Sequence, residues 1–296
     1  MTEPARLTLS SHPAIPMFQP QRYVVIGLGG IGSILADYLS RFLMANGQGT
    51  PLCVIDGDQY EEHNRTRMRF ESYENKAVAK SRELGHQTRR ALTILPTPTY
   101  VTKENINEII QERDAVLLCV DNHATRQLVS DHCQSLRTVA LISGGNDGVD
   151  ETHSGTFGNV QVMLRREGHN LTNALTTYHP EIAQPADHHP DDPGCDDLQP
   201  TLPQLLFTNL AVASGMLSTL YAWQHDRLTY EELYFDIFAG RTVPIRRAPH
   251  GSRRDQPIED RLQLGARGNL LPQGSNPDQN AHVDSINSQE GLSWKD

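Results

Sequence analysis

The chain has 296 residues, a formal net charge of −10 and four cysteines. This length can bury a sizeable core without disulfides, and the negative charge argues against a nucleic-acid-binding surface. The sequence shows neither a cationic and apolar leader nor an apolar run long enough to cross a bilayer, so we expect a cytoplasmic protein without a membrane partner. Cys195 lies in a polar loop and is the cysteine that we expect to be chemically available.

The first predicted strand runs into a glycine-rich turn, and a helix begins directly after it. The apolar run 23–26 precedes the turn, which contains Gly27, Gly29, Gly30 and Gly32. Gly27 permits a sharp turn, Gly29 and Gly30 remove side chains that would block a ligand, and the helix N-terminus attracts an anion. The pattern indicates a nearby nucleotide, although a tight strand-to-helix connection without a ligand could have the same sequence.

Strands and helices alternate in the first half of the chain. Buried strands are predicted at 52–55, 97–101, 115–120 and 138–143, and helices from about Asn75, at 104–113 and at 124–136. This alternation predicts an α/β fold with a Rossmann-like, doubly wound and mostly parallel sheet, which binds ligands at the carboxyl ends of its strands.

The second half predicts antiparallel strands and one long apolar helix. A strand is expected at 159–165, a loop-like segment at 166–200, a helix at 202–223, and a closing hairpin from 234–238 and 242–246. We therefore expect an N-terminal arm at 1–19, an α/β domain at 20–247, and a tail at 248–296 that does not fold.

Asp56 ends the second strand, 24 residues beyond Gly32. A carboxylate at this place accepts hydrogen bonds from ribose hydroxyls, so a dinucleotide-dependent oxidoreductase fits the pattern up to this point. The polar segment 56–67, followed by Lys80 and Asp121, instead favours phosphoryl or adenylyl chemistry. That chemistry needs cations to hold a triphosphate and an acid to hold Mg²⁺.

Together these motifs resemble the ubiquitin-activating enzyme superfamily, in particular its ThiF/MoeB branch. The glycine motif is matched by Gly27, Gly29, Gly30, Gly32 and Ser33, and the second motif by Asp56, Asp58, Glu61, Asn64 and Arg67. The family lysine is matched by Lys80, thirteen residues after Arg67, and the metal-binding aspartate by Asp121, followed by Asn122 and Arg126. The resemblance covers roughly residues 20–247, with four separated motifs in the family's order.

The resemblance implies an ATP-dependent adenylyltransferase that activates the C-terminal carboxylate of a ubiquitin-like or sulfur-carrier protein and works as a homodimer. Catalytic roles are implied for Arg67, Lys80 and Asp121, with Asp121 also binding Mg²⁺. The implied ATP-binding residues are Gly27, Gly29, Gly30, Gly32, Asp56, Asp58, Asn64, Arg67, Lys80 and Asn122. The attacking carboxylate is already ionised, so the reaction needs positioning and charge neutralisation but no general base.

Cys195 precedes the apolar helix, where some relatives carry the cysteine that takes over the activated carrier. The layout of Cys195 followed by 204–209 resembles the ThiF-family proteins of bacterial PRTRC-type gene systems. Asp196 and Asp197 would raise the pKa of the thiol, so both a catalytic cysteine and an inert loop cysteine stay open.

Three alternative functions also stay open. One is adenylation of a small-molecule or tRNA-borne carboxylate, as in the dehydratases that act on threonylcarbamoyladenosine. Another is the dinucleotide-dependent oxidoreductase. The third is an inactive relative that binds a nucleotide or partner without turnover, because Met68 stands where the family usually has glutamine.

Overall fold

The computed structural model describes residues 13–47, 49–66, 68–149, 154–190 and 204–246. The predicted tail at 248–296 lies outside these ranges, as do Arg67, Cys195 and all but 13–19 of the predicted arm. The arm and tail therefore stay predictions. None of the helices within the described ranges is both long and apolar enough to cross a membrane.

The strands and helices follow one another in the predicted alternation. In chain order they are β1 (Arg22–Ile26), α1 (Gly30–Asn46), β2 (Leu52–Ile55), α2 (Lys76–Gln87), β3 (Ile94–Thr97), α3 (Ile106–Ile109), β4 (Asp114–Leu118), α4 (His123–Ser135), β5 (Val139–Asn146), β6 (Phe157–Arg166), β7 (His169–Asn170), α5 (Pro180–Ala183), α6 (Leu206–Gln224), β8 (Glu232–Asp236) and β9 (Arg241–Ile245). Short 3-10 turns span Glu62–Thr66 and Leu175–Thr177.

The strands form one sheet with the order β3-β2-β1-β4-β5-β6-β8-β9, and β7 pairs with β6. The first five strands in this order, β3, β2, β1, β4 and β5, are parallel to one another. The sheet continues with β6, β8 and β9, each of which is antiparallel to the strand before it. The predicted fold class is therefore confirmed. The strand order reverses between β1 and β4, which is the place where doubly wound sheets open a ligand crevice.

Helices cover both faces of the central parallel strands, which explains why β2, β4 and β5 are buried along almost their whole length. Within β1, Tyr23 and Val25 point into a core shared with α1 and α6, and Val24 and Ile26 into a second core shared with α3 and α4. The antiparallel end has less cover, and every residue of β9 is exposed or half-buried.

Three local predictions differ from the structure. The strand expected at 97–101 is β3 at Ile94–Thr97, because the chain turns away after Pro98 and places the Tyr100 ring against Gly57. Strand β5 does not stop before its glycines but runs on to Asn146, since its antiparallel pairing with β6 continues there. The predicted loop at 166–200 contains β7 and α5 among its described residues.

Two glycines hold the first strand and helix in close contact. Gly27 has φ of +85°, a conformation that side chains disfavour. A Cβ added to Gly32 would lie 1.8 Å from the carbonyl oxygen of Gly27. This contact is with backbone, so neither partner can rotate away. Gly32 therefore serves packing between α1 and the turn rather than access for a ligand.

We expect Gly32→Ala to lower the free energy of unfolding by about 1–3 kcal/mol or more, because overpacking against backbone forces the helix to shift. Gly29→Ala is the matched control: its φ of −71° is ordinary and an added Cβ meets nothing within 4 Å, so its stability should stay near that of the wild type. Urea unfolding of both variants is the measurement. Equal stability of the two variants would contradict the assigned packing role.

Candidate functional site

A cleft of about 1540 Å³ opens at the carboxyl ends of the parallel strands. Its lining includes Gly27, Gly29, Gly30, Asp56, Asp58, Asn64, Asp121 and Asn122 from the sequence predictions. Gly32 and Lys80 do not line the cleft, and Arg67 and Cys195 lie outside the described residues. The structure thus brings together the glycine turn, the acidic segment after β2 and the residues after β4.

The glycines of the turn have different tasks. Only at Gly29 does the position of a Cβ meet open space, so this residue leaves room in front of the N-terminus of α1. At Gly30 a Cβ would lie 2.1 Å from the amide nitrogen of Asn209 on α6, so this glycine allows α6 to approach. Gly30 also lines the cleft, so its role in leaving space for a ligand stays a prediction.

Asp56 binds the glycine turn to the acidic segment. Its Oδ2 accepts a hydrogen bond from the Leu28 N–H at 2.6 Å, and its Oδ1 accepts one from the Asp58 N–H at 2.8 Å. Burial raises the pKa of Asp56 to about 6, while the nearby charge of Lys76 opposes that rise. The carboxylate is therefore part of the scaffold as well as a group at the cleft.

Lys76, a residue that the sequence analysis missed, places its ammonium group in the cleft. Its Nζ lies 2.6 Å from Oδ2 of Asp58, and Tyr100 donates a hydrogen bond to the other oxygen of the same carboxylate. Burial alone would raise the pKa of Asp58, but the charge and hydrogen bond of Lys76 outweigh it and hold that pKa below its ordinary value. The signal for Lys76 is Asn75, which caps the helix at the cleft and makes Lys76 its first residue.

Lys80 lies one helical turn further along α2, about 6 Å from Lys76 along the axis. Its side chain is only 2% exposed, and its Nζ contacts Glu83 at 2.8 Å and Asp37 at 3.5 Å. This ion-pair cluster lies between α1 and α2, away from the cleft. The structure therefore does not bring Lys80 to the predicted site.

The segment after β2 contains Asn64, a predicted ATP-binding residue, and Met68, which departs from the family pattern. Asn64 is buried, and its Oδ1 accepts a hydrogen bond from the Glu61 N–H at 2.9 Å. Met68 is also buried, in a small apolar cluster that includes Tyr60 and Phe70. An apolar residue at position 68 thus has a packing partner in this chain.

The residues after β4 form the opposite wall of the cleft. Asp121 is exposed there, and Asn122 caps α4 by accepting the Thr125 N–H at 2.8 Å. Arg126 is buried, and its guanidinium donates to the carbonyl oxygens of Val120 at 2.8 Å and Gly144 at 2.9 Å. Burial lowers the pKa of Arg126. Arg126 thereby joins the ends of β4 and β5 and fixes the turn that carries Asp121.

A segment before the described chain breaks off at Pro190 lies against the start of α4. The Asp187 carboxylate accepts hydrogen bonds from the N–H groups of His123 at 2.7 Å and Ala124 at 2.9 Å. Asn122 donates to the His188 carbonyl oxygen at 2.7 Å. The N-terminus of α4 is thus satisfied by this chain, whereas Gly29 and Gly30 at the N-terminus of α1 line the cleft.

The residues fit a Mg²⁺ ion only when a phosphate-bearing substrate supplies further oxygens. Asp121 offers an exposed carboxylate at the cleft, which is the ligand type that Mg²⁺ prefers. Within the part of the chain that the structure describes, no three His, Cys, Asp or Glu side chains converge on one point as a metal-binding group. Mg²⁺ sites in nucleotide enzymes need only one or two carboxylates beside the substrate phosphates.

A buried charge cluster lies at the end of the cleft under the antiparallel strands. The two ring nitrogens of His179 lie 2.9 Å from Oε1 of Glu181 and 3.1 Å from Oε1 of Glu232. Ionised glutamates can only accept hydrogen bonds, so this geometry suits a ring that carries hydrogen on both nitrogens and a positive charge. Burial alone would lower the pKa of His179, but the two glutamates outweigh it and hold the pKa above its ordinary value.

We expect the unfolding free energy of the wild type to fall between pH 6 and pH 8 relative to that of His179→Gln. The raised folded-state pKa means that the stabilisation by His179 is complete below the unfolded pKa of about 6.5 and is lost as pH rises through the folded pKa. Urea unfolding of both proteins across this range checks the sign. A difference that grows with pH would show that His179 is neutral.

The chain is similar in sequence to one known family over most of its described length. Residues 15–226 match the ThiF family. The Xenopus laevis "Adenylyltransferase and sulfurtransferase MOCS3" is 34% identical over 113 residues, 37% of this chain and 24% of that protein. The "SAMP-activating enzyme E1" of Haloferax volcanii is 30% identical over 126 residues, 42% of this chain and 44% of that protein. The matches thus span less than half of these curated relatives.

Solved structures resemble the chain in fold. E. coli MccB, solved with ATP, matches 78% of this chain and 64% of its own chain, with a TM-score of 0.55 and 14% sequence identity. At this identity the likeness is one of fold. The family match covers well over half of the sequence and includes every element from β1 to α6, so the chain belongs to the ThiF family.

Proposed function

We propose that the protein uses ATP to adenylate the C-terminal carboxylate of a ubiquitin-like or sulfur-carrier protein and releases pyrophosphate. The observation that carries the proposal is that the glycine turn, Asp56, Lys76 and Asp121 all face one cleft at the strand-order switch. Two kinds of relative support this proposal: the adenylyltransferase MOCS3 and the SAMP-activating enzyme E1. The structural neighbour MccB, which was solved with ATP, supports it as well.

The glycine turn is the proposed binding site for a phosphate of ATP, and Asp56 is the proposed binding site for its ribose. Gly29 leaves the N-terminus of α1 accessible, and unpaired N–H groups at a helix start favour phosphate oxygens. Each oxygen of Asp56 accepts one backbone N–H and retains a further lone pair, which can accept a ribose hydroxyl.

Lys76 is the proposed phosphate-binding cation in place of Lys80. Its Nζ is already held at the cleft by Asp58, so the charge is positioned before substrate arrives. From its family position, Arg67 is proposed to add a planar, two-pronged contact to the same phosphates. The two cations would neutralise charge that develops on the leaving pyrophosphate.

Asp121 is the proposed ligand of Mg²⁺, which when bound neutralises phosphate charge and polarises the phosphorus–oxygen bonds. Arg126 fixes the carbonyl of Val120 beside Asp121, so the backbone that carries the carboxylate is positioned before substrate binds. The acceptor carboxylate attacks the α-phosphorus while ionised, so no residue has to remove a proton.

A second copy of the chain is the proposed partner of α6. One side of this helix packs on the sheet through Val212, Met216 and Trp223, all buried. The other side exposes Phe207 and Tyr221 at 66% and 53% of their surface. A helix that is apolar on all sides is usually covered on all sides, which supports a homodimer through this face.

The predicted cytoplasmic location has one supporting observation. Cys53, Cys119 and Cys133 are buried and free, as expected in a reducing compartment. Cys195 stays a prediction as acceptor of the activated carrier, and no step of the adenylation proposed above depends on it.

ATP–pyrophosphate exchange tests the function. We expect exchange that depends on adding a carrier protein with an exposed C-terminus, and Asp121→Asn should reduce it by about 100-fold or more, because it removes the charged metal ligand. Exchange that never appears with any carrier, or that is unchanged in Asp121→Asn, would contradict adenylation. Oxidation of NADH by the same preparation would instead support the oxidoreductase.

The two lysines of α2 form a matched pair. We expect Lys76→Met to lower carrier-dependent exchange by about 100-fold, because a preorganised phosphate contact is lost. Lys80→Met should keep the KM for ATP within about twofold, but it should cost about 3 kcal/mol of unfolding free energy, because Glu83 loses its buried partner. Exchange kinetics and urea unfolding of both variants separate these outcomes, and the reverse pattern would restore Lys80 to the site.

A further inference from the structure

Gln161 in the middle of β6 has a buried amide group without a partner. The residue is 2% exposed, and neither its Nε2 nor its Oε1 makes a hydrogen bond within the described ranges. Buried amides without hydrogen bonds are destabilising and rare in folded proteins. An amide kept in this condition in the wall of a cleft is a candidate for contact with a ligand.

The polar groups around Gln161 are already engaged with one another. Its neighbours across the sheet are Ser143 on β5 and Glu232 on β8. Glu232 is held by His179, and Glu231 accepts hydrogen bonds from Asn173. The polar contacts of this cluster are thus complete without Gln161, a residue that lines both the cleft and a small cavity of about 10 Å³.

Strand pairing gives the distance from Gln161 to the end of β4, the strand that leads to Asp121. Leu118 at the end of β4 pairs with Ser143, and Ser143 pairs with Gln161. Two strand spacings separate β4 from β6, which is about 10 Å. An extended peptide advances about 3.4 Å per residue, so this distance corresponds to about three residues. Asp121 lies beyond Leu118, so an extended chain whose terminal carboxylate reaches the region of Asp121 passes Gln161 with a peptide group at least about three residues upstream.

The chemistry of the position favours a neutral ligand with one donor and one acceptor. A carboxamide offers N–H and C=O side by side, which complements the C=O and N–H of a backbone peptide group. Glu232 and Glu181 nearby disfavour a phosphate or a carboxylate at this point. The small cavity has space for about one water molecule, and such a water could satisfy the amide instead.

We propose that Gln161 binds a backbone peptide group of the acceptor protein's C-terminal segment, at least about three residues before the carboxylate that is adenylated. This inference rests on the proposed function and names a specificity-determining contact for its protein substrate. The amide stays unpaired until the extended segment enters the cleft. The free protein is therefore less stable at this position than it would be with an apolar side chain.

The test compares Gln161→Met with Gln111→Met in the full chain, using a carrier that supports exchange with the wild type. Gln111 is exposed, so its variant controls for the substitution itself. For Gln161→Met we expect a KM for the carrier raised about tenfold, a KM for ATP within twofold, and a Tm that is unchanged or about 2–4 °C higher. The Tm should not fall, because an unpaired buried amide has been removed.

A second measurement identifies the contacted group. Synthetic peptides with the ten C-terminal residues of that carrier, each with one of the second to fourth peptide groups replaced by an ester, serve as substrates. One ester should raise KM in the wild type but not in Gln161→Met, because the contact is already absent in the variant.

The outcomes separate the two proposals. A lower Tm with an unchanged carrier KM in Gln161→Met would show that the amide holds only a structural water, and this inference would be overturned. If the wild type supports exchange but no ester raises its KM more than that of Gln161→Met, this inference would also be overturned, while adenylation would stand. No exchange with any carrier would overturn both.

Discussion

The buried carboxylate of Asp56 is the interaction on which the site depends. One of its oxygens holds the glycine turn after β1 through Leu28, and the other holds the start of the acidic segment after β2 through Asp58. Two neighbouring strands therefore present their loops at a fixed spacing. The cost is burial of a carboxylate whose pKa rises to about 6, and Lys76 with two backbone N–H groups offsets part of that cost.

Most of the fold could be predicted because the strands are buried on both faces and read as apolar runs. β2 begins and ends where its run does. β3 could not be placed from hydrophobicity, because Pro96 and the exposed Leu95 interrupt its pattern and only pairing with β2 defines it. Likewise, β5 passes through Gly144 and Gly145 because β6 pairs with them, which is information from a distant segment.

The site was predictable in its residue types but not in every position. Asp56 and Asp121 follow directly from the ends of apolar strands, so the topology brings both to the cleft. Lys80 was assigned because it follows Arg67 by thirteen residues. The number of residues in an irregular loop does not determine where the next residue lies, whereas the end of a strand does. The cap of α2 instead brings Lys76 to the cleft, since Asn75 starts the helix there and makes Lys76 its first residue. The packing of Gly30 against Asn209 could not be predicted, because Asn209 lies far away in sequence.

The charged groups of the cleft differ in how much they must rearrange to bind a triphosphate. The chain is acidic overall, and Asp56, Asp58 and Asp121 add negative charge where ATP would bind. Lys76 is paired with Asp58 and has to share or leave that partner to meet a phosphate. Arg126 forms no ion pair within 4 Å in the described part of the chain, and its donors contact neutral carbonyl and hydroxyl groups. The carboxylates of Asp121, Glu181 and Asp187 lie near enough to offset part of its charge. The guanidinium needs no rearrangement to act on the cleft, whereas Lys76 must change partners. The buried arginine is thus the steadier source of attraction, and Lys76 supplies the direct contact.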